Sequence, residues 1–507
     1  MNIKQAKQEI TNTLKAYLAK DQLGNYLIPT VRQRPVLLMG PPGVGKTQIM
    51  EQIAAETGVG LVAYTITHHT RQSAIGLPFI EKRTYGGEEV SVTEYTMSEI
   101  LSSVYRLMER TGLQEGILFL DEINCVSETL APMMLQFLQC KTFGNQALPE
   151  GWLIVAAGNP PEYNKSVRDF DVVTLDRVKR IDVEEDYGVW KEYARRKNLH
   201  GAILSYLDIK KDNFYRIENT ADGLQFATAR GWEDLSELLY AYETLGIRAD
   251  REVVGQYIQM PRIAKDFANY LEMFYKYQKT YHVEGILSGT WENITVLELR
   301  EAPFDEKLSV MGLVLSRLSE EARNTRRQDA LTDALHTSLT EFREKIADAP
   351  PLTVLDQLLW KRRTAMKQAK EAGQLDKESR DLKQREINVL EDYRQRLDRE
   401  AVAPEGAMDA VRGWFGEEVE RRKAVAMETK DMFDNAFHFL ETTFGDSQEL
   451  VIFVTEITAG YDTSWFVEQF GCDAYFRHNR ELLFDSTRHR IREEIAAAKA
   501  AEQEENT

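Results

Sequence analysis

Cysteine is scarce: Cys125, Cys140 and Cys472 are the only three in 507 residues. Their spacing fits no metal-ligand pattern and one is left over after any pairing, which excludes a disulfide framework or a zinc site as the organising device. The expectation is three reduced thiols, buried or half-buried. Basic residues are also in deficit, 63 Lys and Arg against 81 Asp and Glu, for a formal net charge of −18. A surface of that sign repels phosphate, so a broad nucleic-acid-binding face is disfavoured. No apolar run approaches the roughly 20 residues needed to span a bilayer. The N-terminal MNIKQAKQEITNTLKAYLAK reads as an amphipathic helix without the apolar centre of a signal peptide. The expectation is a cytoplasmic protein with no membrane span. What is present is an ordinary globular composition, 43% hydrophobic and 28% charged, in a chain long enough for roughly two to four domains.

Against that background one stretch stands out. Val36 to Met39 reads as a buried strand, and Gly40-Pro41-Pro42-Gly43-Val44-Gly45-Lys46-Thr47-Gln48 follows as a glycine-rich turn opening a helix that runs to Thr57. A glycine, four residues and then Gly-Lys-Thr place backbone N–H groups around a phosphate, an ammonium against the β- and γ-phosphates and a hydroxyl on Mg²⁺. The anion then sits at a helix N-terminus, where unpaired N–H groups and the dipole favour it. Gly40 to Gln48 are therefore the candidate nucleotide-binding residues.

A second strand, Gly60 to Ile66, precedes His68-His69. Neighbouring residues on a strand or turn point apart, so these read as two loop histidines rather than a metal site. Two alternating runs around Tyr85-Gly86-Gly87 predict a β-hairpin over about 78–96. It interrupts an otherwise regular strand–helix alternation, so it is an insertion, either projecting toward a partner or pore or decorating an edge. Gly116 to Leu120 is an apolar strand ending in Asp121-Glu122. In nucleotide hydrolysis the first carboxylate of such a pair holds Mg²⁺, with Thr47, and the second orients and deprotonates the attacking water. A helix over Glu128 to Gln139 leads to the strand Gly151 to Gly158, which ends at Asn159. If that strand lies between those carrying the phosphate loop and Asp121-Glu122, the Asn159 amide can reach the attacking water or the γ-phosphate.

This series, with Leu175-Asp176-Arg177-Val178 and Thr228-Ala229-Arg230-Gly231-Trp232 after it, resembles an AAA+ ATPase, and within that superfamily it is similar to the MoxR group. The resemblance covers about residues 30–285. It implies ATP and Mg²⁺ as cofactors, Lys46 and Thr47 in Walker A, Asp121 and Glu122 in Walker B, and Asn159 as sensor 1. It further implies Arg177 as an arginine finger reaching a neighbouring subunit's nucleotide and Arg230 as sensor 2. Val178 stands where that group usually has phenylalanine, and Arg168 and Arg180 are rivals for the finger. The implied architecture is an α/β P-loop domain over 1–186 with the hairpin insertion and a helical lid over 187–288. An α-helical appendage with an extended helical arm over 289–507 completes it. The implied assembly is a homo-oligomeric, hexameric ring that remodels, assembles or activates a partner protein, often one with a von Willebrand factor A domain. Two other readings stay open: a nucleotide-gated scaffold that scarcely hydrolyses, and a nucleic-acid-associated NTPase motor, with ATP and GTP not distinguished by the residues. The aromatic stretch Phe267 to Tyr281 reads as packing surface, and the charged region Leu352 to Arg399 as a solvated helical arm or hairpin.

Overall fold

The structure, a computed structural model, describes residues 1–480 except 69–71, 73, 75, 87, 145, 164–166, 168–169, 221–222, 373–374 and 376. His69 and Arg168 therefore lie outside the described residues, and of His68 only the backbone is described. The chain forms two compact units, one of residues 1–189 with 352–394, the other of 190–351 with 395–507.

In the first unit the helix α1 (Ile3–Leu18) opens on a capping box: the Asn2 side chain accepts from Gln5 N, and the Gln5 side chain accepts from Asn2 N. The elements that follow are strand β1 (Val36–Met39), helix α2 (Lys46–Thr57) and strand β2 (Gly60–Thr65). After them come β3 (Pro78–Tyr85), β4 (Glu88–Tyr95), helix α3 (Glu99–Thr111), β5 (Gly116–Asp121) and helix α4 (Ala131–Cys140). The short pair β6 (Thr142–Phe143) and β7 (Gln146–Ala147), β8 (Trp152–Gly158), the single-turn helix α5 (Val172–Leu175) and β9 (Lys179–Asp182) complete the series. Helix α4 starts three residues later than the sequence suggests. Ser127 to Leu130 form a turn instead, with Leu130 N bonded to Ser127 O at 3.0 Å, and Pro132 occupies the first turn, where a missing N–H costs nothing.

Five strands form one parallel sheet in the order β2-β5-β8-β1-β9. Both of its faces are covered, which is why β1, β5 and β8 read as continuous apolar runs. Leu37, Met39, Leu118, Leu120, Ile154 and Ala156 pack with Ile100, Leu101 and Val104 of α3 and Phe137 and Leu138 of α4. The alternate set, Val36, Leu38, Ile117, Phe119, Leu153 and Val155, packs with Ala6, Ile10 and Leu14 of α1 and Ile49, Met50 and Ile53 of α2. Strand β8 pairs with β1 through Val155–Val36 and with β5 through Phe119–Val155, so the Asn159 strand does lie between the other two motif strands. The carboxyl ends of β1, β5 and β8 thus come together at one rim, where a parallel α/β sheet places its ligand.

The hairpin forms as expected: β3 and β4 are antiparallel from Pro78–Tyr95 to Tyr85–Glu88, and nearly every residue is exposed. Helices Pro351–Glu371 and Lys377–Arg399 run antiparallel, tied by Arg362–Glu386 at 3.0 Å, Arg363–Glu391 at 2.8 Å and Arg394–Asp356 at 3.0 Å.

The second unit is largely helical. A hairpin of β10 (Arg216–Thr220) and β11 (Gly223–Ala227) that the sequence does not lead one to expect interrupts it. Trp232, Phe267 and Tyr206 are buried together, Trp232 and Phe267 edge to face with centroids 5.3 Å apart, in keeping with packing rather than a stacking platform. The 42-residue helix Phe304–Lys345 is the unit's spine. Its Arg323 and Arg326 donate to the buried Asp462 carboxylate at 2.9 and 2.7 Å, so that charge is paired where an unpaired one would be strongly destabilising. Of the cysteines, Cys472 is buried and Cys125 half-buried, but Cys140 is exposed, contrary to expectation, because it closes α4 on the solvent side. None of the described helices is long and apolar enough to cross a membrane.

Candidate functional site

Strand β1 ends at Met39 and the chain leaves the sheet through Gly40 to Gly45. Gly43 and Gly45 adopt φ of 78° and 92°, a region that L side chains enter only with strain, so the loop can wrap inward without a Cβ in the way. Helix α2 then starts at Lys46 with no side-chain cap at Gly45 and no acidic residue in its first turn. Lys46, buried, donates through Nζ to Gly40 O and Pro41 O, both at 2.8 Å, and to Asn159 Oδ1 at 2.9 Å.

Next in α2, Thr47 Oγ1 donates to Asp121 Oδ2 at 2.9 Å, while Asp121 Oδ1 accepts from Glu122 N, also at 2.9 Å. Glu122 adopts φ 57°, a left-handed conformation uncommon for a non-glycine residue and recurrent at functional sites. It turns the side chain away from the strand direction, and Thr67 Oγ1 donates to Glu122 Oε2 at 2.8 Å. The motif positions therefore meet directly in two pairs: Lys46 with Asn159, and Thr47 with Asp121.

The arginines separate. Arg177 is exposed in the turn between α5 and β9, and its Nη1 donates to Gln139 Oε1 at the end of α4. Asp171 caps α5, and hydrogen bonds from Thr174, with a smaller contribution from Arg177, hold its carboxyl below the usual range. Arg180 lies on β9 paired with Asp182 at 2.8 Å. Val178 is buried in the sheet core. Arg230 belongs to the second unit, in the first turn of the helix Ala229–Leu245, whose cap is Thr228.

Sequence reading misses Thr67, Asn124 and Gln139. Thr67 carries no motif; it matters because β2 pairs with β5 at Thr65–Asp121, and strand neighbours are not written in a single sequence. Asn124 is visible two residues past Glu122, but only the fold brings its Nδ2 within 2.8 Å of Asn159 O.

The donor set fits Mg²⁺–nucleotide. A hydroxyl in the first turn of α2 and a carboxylate at the end of β5 are hard oxygen ligands, and Mg²⁺ takes most of its shell from water and phosphate rather than from a protein cage. The described residues contain no cluster of three or more His, Cys, Asp or Glu able to hold a metal alone. A parallel sheet with a glycine loop, a buried lysine and an acidic strand end at one rim defines a P-loop nucleotide-binding domain. Residues 35–178 match the model of the AAA domain, dynein-related subfamily. The chain carries an AAA domain over these residues, and an AAA domain is an ATPase domain. No curated protein sequence matches the chain.

Proposed function

We propose that this chain is a Mg²⁺-dependent ATP hydrolase that works as a ring-forming oligomer and remodels or activates a partner protein. The observation that carries the reading is the pairing of Lys46 with Asn159 and of Thr47 with Asp121, beside Glu122, at the rim where β1, β5 and β8 end. Lys46 supplies a fixed positive charge to the phosphates. Thr47 and Asp121 would hold Mg²⁺, which when bound neutralises charge on the phosphate oxygens. Glu122 takes the proton from a water attacking the terminal phosphorus in line as the bond to the bridging oxygen breaks. Asn159 orients that water through its amide. Catalysis of this kind is mostly positioning and electrostatics, and a carboxylate held by Thr67 in a left-handed backbone is suited to positioning.

Arg177 acts as the finger in trans, its guanidinium presenting a permanent charge to the neighbouring subunit's γ-phosphate. Arg230 acts as sensor 2. The lid over 187–288 and the appendage over 289–507 transmit the nucleotide state, and the MoxR resemblance suggests a partner with a von Willebrand factor A domain. Glu122 weighs against a binding-only scaffold, because a module that merely holds nucleotide needs no water-activating carboxylate. The net charge of −18 weighs against a nucleic-acid motor.

Steady-state ATP hydrolysis by wild type and Glu122→Gln, with molecular mass measured with and without ATP, tests the reading. Wild type is expected to turn over as a ring-sized species, and Glu122→Gln to bind ATP and assemble but lose turnover. Tight binding without turnover by wild type in any assembly state would favour the scaffold.

A further inference from the structure

We infer that Asn124 is a positioning residue whose amide couples the turn carrying Glu122 to the backbone of Asn159; the inference rests on the ATPase reading above. After Asp121 the chain enters the left-handed conformation at Glu122 and closes a turn, Cys125 N donating to Glu122 O at 2.9 Å. That turn stays stitched to β8, because Ile123 N donates to Ala157 O at 2.9 Å. One residue on, the Asn124 side chain is 3% exposed and its Nδ2 donates to Asn159 O at 2.8 Å. The Ile123–Asn124 pair thus grips the carbonyls on both sides of Gly158.

Gly158 itself makes room for the amide. A Cβ there would lie 2.6 Å from Asn124 Oδ1 and 2.9 Å from its Cγ, distances no real Cβ keeps. The Asn159 side chain then accepts from Lys46 Nζ at 2.9 Å. A run of direct contacts therefore joins the peptide of the water-activating carboxylate to the phosphate-binding ammonium, and the Asn124 amide is the side-chain link to the Asn159 backbone.

Stability alone does not account for an amide in this place. Asn124 Oδ1 is buried with no hydrogen-bond partner among the described residues, and an unsatisfied buried acceptor offsets what the one made bond contributes. An apolar side chain of the same shape fills the space more cheaply. What leucine cannot do is fix the Asn159 carbonyl, and with it the direction of the Asn159 side chain. An outer-shell partner that orients a working group is the closest physical parallel, and its loss costs roughly 10- to 100-fold in activity.

The test is Asn124→Leu, which keeps the γ-branched outline and removes the donor, beside Gly158→Ala, which leaves the amide intact and displaces it from the other side. Each is measured for ATP affinity with a fluorescent nucleotide, for kcat and for melting temperature. The expected result is kcat lower by roughly 10- to 100-fold in both variants, with ATP affinity within about twofold of wild type, the pattern of lost transition-state positioning. A folded Asn124→Leu with wild-type kcat overturns the inference. So does a parallel loss of fold, affinity and kcat in both variants, which marks a purely structural role. Absence of Glu122-dependent turnover in wild type overturns the ATPase reading instead, and the two failures are therefore distinct.

Discussion

Lys141 closes helix α4 at φ 56°, a position glycine usually takes, and its side chain is buried with Nζ donating to Thr30 O at 3.0 Å. Burial pulls its pKa from the ordinary 10.5 down to about 8. Between those values the unfolded chain holds a proton the folded chain lacks, so this lysine makes stability rise with pH through that window. Below about 8 both states are charged and the burial penalty, on the order of 3 kcal/mol, stands in full. Lys141→Met is therefore expected to gain stability relative to wild type at neutral pH, and the gap should shrink as pH climbs toward 10.5. Urea denaturation of both proteins across that range measures it, and a pH-independent gap would count against the account. Nothing in the sequence marks Lys141, since a lysine after a helix is ordinarily solvated. The legible residues, Lys46, Thr47, Asp121, Glu122 and Asn159, are those whose chemistry demands a fixed residue type at a fixed spacing. Thr67, Asn124 and Gln139 make their contacts only once distant segments are brought together by the fold, and that information is not local.

Among the elements, the hairpin of β3 and β4 is legible from its alternation and glycine turn, and its exposure shows why it contributes little to the core. Its ion pairs, such as Arg83 with Glu94 at 3.2 Å, are surface pairs worth roughly 0–1 kcal/mol. The neck is already closed beneath it, Thr96 N donating to Leu77 O at 2.9 Å. Replacing residues 78–95 with a two-residue turn should leave the melting temperature within about 4 °C of wild type and ATP binding unchanged. A fall of more than about 8 °C would show that the strands belong to the folding unit. The start of α4 is not legible because Glu128 and Thr129 suit a helix locally while Pro132 does better in a first turn than inside one. Strands β10 and β11 escape a sequence reading because Arg216 to Thr220 carries a single strongly apolar residue, Ile217, too weak an alternation to stand out among helices.

At the scale of the whole molecule, the α/β class and the helical character of the later half are readable from the spacing of apolar residues. The strand order is not, and it is the order that puts Asn159 between the phosphate loop and Asp121. The trans role proposed for Arg177 is a prediction about assembly. Arg177→Ala should bind ATP with nearly wild-type affinity yet lose turnover by roughly 10³-fold or more, and mixing it with Glu122→Gln should restore part of the activity. Failure to lose turnover would shift the role to Arg180 or Arg168. The first unit is assembled from two separate stretches, 1–189 and 352–394, so the polypeptide passes between the units at three points. A fragment ending after residue 189 would lack part of its own unit. A protease cutting at any single passage would split a unit's two stretches between two fragments, so nicked protein would hold together only through the packing inside that unit and would separate into two pieces once denatured.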